Sequence, residues 1–358
     1  MKSQVFISMT GPDGNLGDVL IRRLSLDWVR RPGGLVAFVG NHNDSWIRAI
    51  GFDEQDRLVT GGGLARAAWM LRAALGRSKP IFVTDPGEVW VGRHRLPHHL
   101  FQLATGLIVK ARGGKIIIPP HALAQHARAE RSGMTLRLHR KFSQLADVCL
   151  WREQRSLDIV GVGVISPDIG FSDAARASAI DEQRRTLIIS LRGDRPFPST
   201  VVLQAIIELA RTHSLEIVSL SQVDVDDDRA RSIADHLGIR SLVWDPRNSG
   251  SEEQIRGLYD NAALVISDRL HVLVLGLISG AMPVELAEKP ERKIAAHFAT
   301  VGLPDISMDT RYSSVDEVTS WLRVQLSRRV EALSVLDSAR ERLRVIRAQV
   351  VHAVDSLV

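Results

Sequence analysis

One cysteine in 358 residues leaves no partner for an intrachain disulfide. Cys149 sits in the apolar stretch Ala146 to Trp151 and reads as a buried filler, so a thiol mechanism is not expected and a reducing compartment fits. The longest apolar run, Val272 to Leu286, is broken by Gly276, Gly280 and Pro283 and is too short to cross a bilayer. No secretory signal is expected either, because the apolar core Val5 to Ile7 is short and the polar, glycine-rich stretch Thr10 to Asp18 follows at once. A soluble, cytoplasmic protein is therefore expected. There is no basic low-complexity run, no basic stripe interleaved with aromatics and no zinc-spaced Cys/His set, which argues against a dedicated nucleic-acid binder. No carboxylate cluster has ligand spacing, so neither a metal nor a cofactor is called for.

What is present belongs to the globular range. Hydrophobic residues make up 45% and charged residues 24%, and the length predicts two domains. The net charge is +5 with a pI near 9.7, and arginine supplies most of the positive charge. That balance favours anionic partners, and small anionic substrates best of all.

Short β-branched runs alternate with helical stretches up to about residue 300, the pattern of parallel βαβ units. Strands are predicted at Gln4 to Ile7, Leu35 to Val39, Arg57 to Thr60, Pro80 to Val83, Lys115 to Ile118 and Val148 to Leu150, with helices such as Asp18 to Val29, Leu64 to Leu75 and Leu100 to Ala111 between them. The polar stretch Ser172 to Arg185 then reads as an interdomain boundary. Beyond it, strands are predicted at Thr186 to Leu191, Glu216 to Leu220, Ser241 to Trp244, Leu264 to Ser267 and Pro283 to Leu286. The fold class is α/β with two Rossmann-like, doubly wound domains, residues 1–172 and 186–312. A helical extension, 313–358, is expected to pack across them. Leu333, Leu336, Leu343, Ile346 and Val350 recur there at helical spacing beside Arg340, Arg342, Arg344 and Arg347. Such a helix either packs back on the protein with a solvated basic face or touches an anionic membrane.

Ligands of open parallel sheets bind beyond the carboxyl ends of the strands, so four strand-to-helix loops are candidate sites. Gly11 to Asp18 leaves the first strand; Gly14 and Gly17 permit close approach of a ligand, and Asn15 and Asp18 can either cap the helix or reach an acceptor hydroxyl. Gly61, Gly62 and Gly63 follow the third strand, and three glycines in a row point to close approach of substrate or backbone. Arg192 follows a buried strand, where its planar fork suits a phosphate or carboxylate; a salt bridge with Asp194 is the alternative. Asp268, Arg269, Leu270 and His271 lie between two segments that must be buried. They form either a structural network or a proton-transfer group beside an anion clamp.

These fragments, in this order, resemble the polysaccharide pyruvyl transferase family. The resemblance is carried by Gly14-Asn15-Leu16-Gly17-Asp18, Gly61 to Gly63, Arg152-Glu153-Gln154-Arg155-Ser156, Pro167-Asp168-Ile169-Gly170-Phe171, Arg192, Arg269-Leu270-His271, Gly280 to Pro283, and Lys293. It covers residues 11 to about 303. It implies a GT-B-like fold with two domains facing over a cleft, and transfer of the enolpyruvyl unit of phosphoenolpyruvate onto two sugar hydroxyls as a ketal. The acceptor would be a polysaccharide, glycolipid or lipid-linked precursor, with peripheral contact at the inner membrane surface. The resemblance assigns Arg192, Arg269, Leu270 and His271 to the donor side, with His271 as general acid, and Asn15, Gly17, Asp18 and the three glycines to the acceptor side. It leaves open whether Asp18 or Asp268 orients the acceptor hydroxyl. A nucleotide-sugar glycosyltransferase and a non-catalytic binding protein on the same fold are the competing readings.

Overall fold

A computed structural model describes residues 3–124, 133–173 and 184–357. The chain divides into two compact units: residues 1–13, 18–169 and 341–358 form one, and 14–17 with 170–340 form the other. Most of the polar stretch read as an interdomain boundary lies outside the described residues.

The first unit runs β1 (Ser3–Ser8), α1 (Leu16–Val29), β2 (Val36–Gly40), α2 (Asp44–Ile50), β3 (Arg57–Thr60), α3 (Gly63–Leu75), β4 (Lys79–Val83), β5 (Gly87–Val89), α4 (Leu96–Ala111), β6 (Lys115–Leu123), α5 (Met134–Leu145), β7 (Val148–Trp151), α6 (Gln154–Val160) and β8 (Val164–Ile165). Its strands pair in parallel in the order β3-β2-β1-β4-β6-β7-β8, with β5 beside β6. Phe6 of β1 is in register with Val36 of β2 on one side and Phe82 of β4 on the other. Around them Phe38, Trp69, Phe142 and Trp151 fill the core. Strands flanked by helices on both faces bury both sets of side chains, which is why these segments read as continuous apolar runs.

The second unit runs β9 (Thr186–Ser190), α7 (Thr200–Thr212), β10 (Glu216–Ser221), α8 (Asp227–Leu237), β11 (Arg240–Val243), α9 (Ser251–Asp260), β12 (Ala262–Ser267), α10 (Leu270–Ile278), β13 (Met282–Ala287), α11 (Arg292–Val301), β14 (Ser307–Asp309), α12 (Val315–Ser327) and α13 (Arg329–Asp355). Its parallel order is β11-β10-β9-β12-β13-β14. All five residues of β9 are buried.

Both sheets start from a central strand, wind out to one edge and return to wind the other way. This is the Rossmann order, and its reversal point falls between β1 and β4 in the first unit and between β9 and β12 in the second. Every predicted strand is present. The additional strands β5, β8 and β14 have only two or three residues, too short for a periodic signal. The helix predicted from Leu100 starts at Leu96, with Pro97 in its first turn, where a missing N–H costs nothing.

The long C-terminal helix α13 belongs to the second unit up to Arg340 and to the first from Glu341. Leu336, Leu343, Ile346 and Val350 are buried and Leu333 is half-buried, so its apolar stripe packs on protein, while Arg342, Arg344 and Arg347 are exposed. Among the described residues, no helix is long and apolar enough to cross a membrane.

Candidate functional site

In the second unit the reversal point brings two of the predicted loops together. Ser190 ends β9 and Ser267 ends β12; they face each other in register, and Ser267 Oγ donates to the Ser190 carbonyl at 2.5 Å. The Arg269 amide donates to Ser267 Oγ at 3.0 Å, so the turn into α10 is fixed by the strand end. The Arg192 amide donates to Asp268 Oδ1 at 2.9 Å, which ties the two loops to each other. His271 lies in the first turn of α10.

Both predicted arginines stand here, each held by a carboxylate. Arg269 makes a two-pronged pair with Asp226, Nε to Oδ2 and Nη2 to Oδ1, both at 2.7 Å. Asp226 also accepts from the Gly193 amide at 2.8 Å and is only 3% exposed. Arg192 pairs with Asp194 through Nε at 2.8 Å and Nη2 at 2.7 Å, so the salt bridge left open by the sequence is formed. The Arg192 fork holds the Asp194 carboxyl down to about 2. A third arginine, Arg195, reaches Asp268 at 3.5 Å and also pairs with Glu291. Burial raises the Asp268 carboxyl above its ordinary range, against the pull of its hydrogen bond from the Arg192 amide and the nearby arginines. Glu285, on β13, is driven up to about 7 by burial although it accepts from the Glu291 amide at 2.8 Å and Ser307 Oγ at 2.6 Å.

The segment Gly14–Gly17 also belongs to this unit. Asn15 forms a bridge with Val223, the Leu16 amide donates to the Gln222 carbonyl at 3.0 Å, and the Asp224 amide donates to the Gly14 carbonyl at 2.9 Å. Gly17 lies so close to His271 that a Cβ there would collide with the histidine's own Cβ. Gly14 has φ +70 and its Cβ would strike the Asp224 carboxylate. The sequence thus places Gly17 and His271 far apart, and the fold makes them neighbours. Asn15 Oδ1 accepts from the Gly17 amide at 3.0 Å, which is the capping role.

The remaining predicted residues belong to the first unit. Asp18 pairs with the buried Arg22 at 2.8 Å, and Arg22 also donates through Nε to the Thr10 carbonyl at 2.8 Å, closing the loop after β1. Gly62 and Gly63 open α3; a Cβ on either would meet no described atom within 4 Å, so packing inside this unit does not explain them. Arg152 and Asp168, from two of the fragments that carry the resemblance, form a buried pair at 2.7 Å. At the first unit's reversal point, Asp85 after β4 accepts from Ser8 Oγ, the Thr10 amide and Arg66 at 2.5, 2.6 and 3.1 Å. Beside it His42 pairs with Asp13 through Nδ1 and stacks on Trp46 at 3.9 Å.

Sequence reasoning missed Asp226, Arg195, Asp85 and the Asp13–His42 pair. The rule that selected Arg192 would have found all of them, since Asp13 and His42 lie in the loops after β1 and β2. Asp226 lies in the loop after β10, Asp85 in the loop after β4, and Arg195 is three residues beyond Arg192. Glu285 gave no signal, because a single acid inside an apolar strand says nothing of its partners. Among the described residues, no group of His, Cys, Asp or Glu is arranged to hold a metal ion.

With this geometry in place, comparison with known proteins decides the family. The model of the polysaccharide pyruvyl transferase family matches residues 15–281, from Asn15 through the Asp268–His271 loop to Ala281. The chain belongs to the polysaccharide pyruvyl transferase family. Among curated proteins no sequence match is found. Solved structures resemble it over nearly the whole chain at low identity. Anabaena Alr3699/HepE in complex with UDP has a TM-score of 0.58 at 11% identity, covering 99% of this chain and 100% of that one. The glycotransferase of kitacinnamycin has a TM-score of 0.51 at 14% identity, covering 99% and 98%. The lipopolysaccharide outer core galactosyltransferase WaaB has 0.52 at 11%, covering 100% of both. The fold is therefore GT-B-like, and the family makes this chain a transferase.

Proposed function

We propose that this pyruvyl transferase family member moves the pyruvyl group of phosphoenolpyruvate onto two hydroxyls of a saccharide. The observation that carries the reading is that Arg192, Arg195 and Arg269 lie in the loops after β9 and β12, with His271 in the first turn of the helix that follows β12. Phosphoenolpyruvate brings a phosphate and a carboxylate, and a site for it needs at least two fixed cations. Asp194 is 63% exposed on its side chain, so an incoming anion displaces it from Arg192 with little desolvation. In this reading His271 protonates the methylene carbon, the adjacent carbon becomes cationic, and one sugar hydroxyl adds to it. The bond to phosphate then breaks, the second hydroxyl closes the ketal, and of the two hydroxyl protons one leaves with phosphate and the other restores the one His271 gave to carbon. No metal or organic cofactor is needed for this sequence of steps.

The test is phosphate release from phosphoenolpyruvate with a panel of nitrophenyl and lipid-linked sugars. Arg192→Ala removes charge-assisted hydrogen bonds of roughly 1.5–3 kcal/mol each, and a loss of kcat/KM of about tenfold or more is expected. His271→Ala is expected to lower kcat by about 10²- to 10⁴-fold. Equal rates in wild type and both variants would refute the reading. The UDP bound to the HepE relative favours, by fold alone, a nucleotide-sugar glycosyltransferase as the alternative. Labelled phosphoenolpyruvate separates the two, since only pyruvylation carries its carbon into the saccharide. A non-catalytic binding protein would show no thermal shift with phosphoenolpyruvate and no consequence of His271→Ala.

A further inference from the structure

In the first unit α3 and α4 pack side by side. Each returns from the end of one parallel strand to the start of another, so they run in the same sense. Their inner faces bury Trp69, Met70 and Ala73 on α3 and Gln102, Thr105 and Val109 on α4. The outer face of α3 carries Leu64, Ala68, Leu71 and Leu75, and the three leucines are 90%, 46% and 69% exposed. The outer face of α4 repeats the spacing with Leu100, Ala104, Leu107 and Ala111. Its leucines are 51% and 53% exposed, and Ile108 beside them 37%. Solvated helix faces ordinarily carry charge at these positions. Arg112, which follows α4, donates to the carbonyls of Ala73 and Ala74 at 3.1 and 2.8 Å, binding the end of α3 to α4.

Two apolar stripes thus lie next to each other in water, and exposed contiguous apolar area of this kind marks an interaction surface. Elsewhere among the described residues, α7, α12 and α13 each expose only one or two large apolar side chains. The border of the face is cationic. Arg72, Arg77, Arg93 and Arg95 are exposed, and neither α3, α4 nor the turn Arg93–Arg95 contains an Asp or Glu.

We propose that the α3/α4 face docks this protein on an anionic lipid bilayer, its leucines entering the boundary between headgroups and acyl chains while the bordering arginines meet lipid phosphates. Charge decides in favour of this occupant. A second copy of the chain would set these arginines against the same arginines, and neither α3, α4 nor the turn Arg93–Arg95 supplies an acid to pair them. An anionic leaflet supplies the missing sign everywhere along the border. The C-terminal helix does not compete for the role, because its apolar stripe is buried. This inference does not depend on which group the enzyme transfers.

The experiment is co-sedimentation of the full chain with vesicles of phosphatidylcholine mixed with phosphatidylglycerol, beside pure phosphatidylcholine vesicles, at low and high salt. Binding is expected to the anionic vesicles only and to weaken as salt rises. The double variant Leu71→Glu/Leu107→Glu is expected to bind about tenfold or more weakly, and Arg72→Glu/Arg77→Glu weaker by a similar factor, about tenfold, from the two lost charges. All four positions are exposed, so thermal unfolding should be unchanged. The proposal is overturned if wild type ignores both vesicle types, if it binds the neutral ones equally, or if both double variants bind like wild type. It is likewise overturned if the protein is a dimer in solution that Leu71→Glu/Leu107→Glu converts to monomer, which would make this face a self-association surface.

Discussion

Arg192 and Arg269 are held with very different firmness, although both meet a carboxylate through two prongs. The side chain of Asp194 is 63% exposed, whereas that of Asp226 is 5% exposed and also accepts from the Gly193 amide. An exposed pair contributes little to stability, about 0–1 kcal/mol, while a buried acceptor that serves two donors is part of the fold. Asp194→Asn should therefore leave thermal unfolding nearly unchanged and, by freeing Arg192, tighten phosphoenolpyruvate binding. Asp226→Asn should lower the unfolding midpoint and weaken binding, since Arg269 loses its anchor. Calorimetric unfolding and phosphoenolpyruvate titration of both variants check this; indistinguishable behaviour of the two would contradict the assignment of Asp226 as the positioning residue. The same contrast explains what the sequence disclosed at this scale. Arg192 and Arg269 were legible because an arginine directly after a buried apolar strand has little structural use. Their partners were not, because Asp226 is one of four aspartates between Asp224 and Asp228, and only the fold selects which of them turns inward.

At the scale of elements, α4, β6 and α5 bring together four imidazoles that the sequence left unremarked, since His98 and His99 of α4, His121 of β6 and His139 of α5 come from three separate segments. His99 and His121 adjoin His139 with ring centroids 5.4 and 5.9 Å away, His98 stands 5.2 Å from His99, and Trp151 lies 3.8 Å from His121. His99, His121 and His139 are buried. Neither ring nitrogen of His139 has a hydrogen-bond partner among the described residues. Burial lowers all four, His98 to about 3 and His121 to about 4, and the charges that bear on them, Arg66, Arg95 and Arg152, are cationic. In the unfolded chain these groups take up protons below about 6.5, and in the folded chain they do not. Stability is therefore intact above that pH and is lost as pH falls from about 6.5 toward 4. Each histidine that titrates only in the unfolded state adds up to roughly 1.4 kcal/mol per pH unit to the slope. His139→Leu should flatten that slope by about one such share. At neutral pH it should cost little, because it removes two buried nitrogens that lack partners. Urea unfolding across this pH range measures both; an unchanged slope in His139→Leu would count against the account.

The whole molecule shows where periodicity stops being informative. Both Rossmann sheets were legible because strand and helix periods alternate regularly, and because β9 and β12 are apolar without interruption. What could not be read was which residues each unit claims. Gly14–Gly17 precedes α1 yet belongs to the second unit, and α13 is one uninterrupted helix that belongs to both. A single hydrophobic stripe looks the same whether it packs on one core or passes from one to the next. The consequence is a specific dependence of the first unit on the chain's last residues. Beyond Arg340, Leu343, Ile346, Val350, Val354 and Leu357 are all buried, from 0% to 9% exposed. Burying side chains of this size stabilises by about 1.5–3 kcal/mol each as an upper range, which together is comparable with the entire net stability of a domain. Truncation after Arg340 should therefore unfold or strongly destabilise the first unit. Arg344→Glu, at a side chain 73% exposed, should change the midpoint by no more than about 0.5 kcal/mol equivalent. The histidine cluster supplies a marker for the affected unit, because hydrogen exchange in β6 and α5 reports the first unit and exchange in β9 and β12 the second. Loss of protection in both units to the same degree would mean that the last turns of α13 serve the molecule as a whole. Selective loss in β6 and α5 is the outcome that the division of the helix predicts.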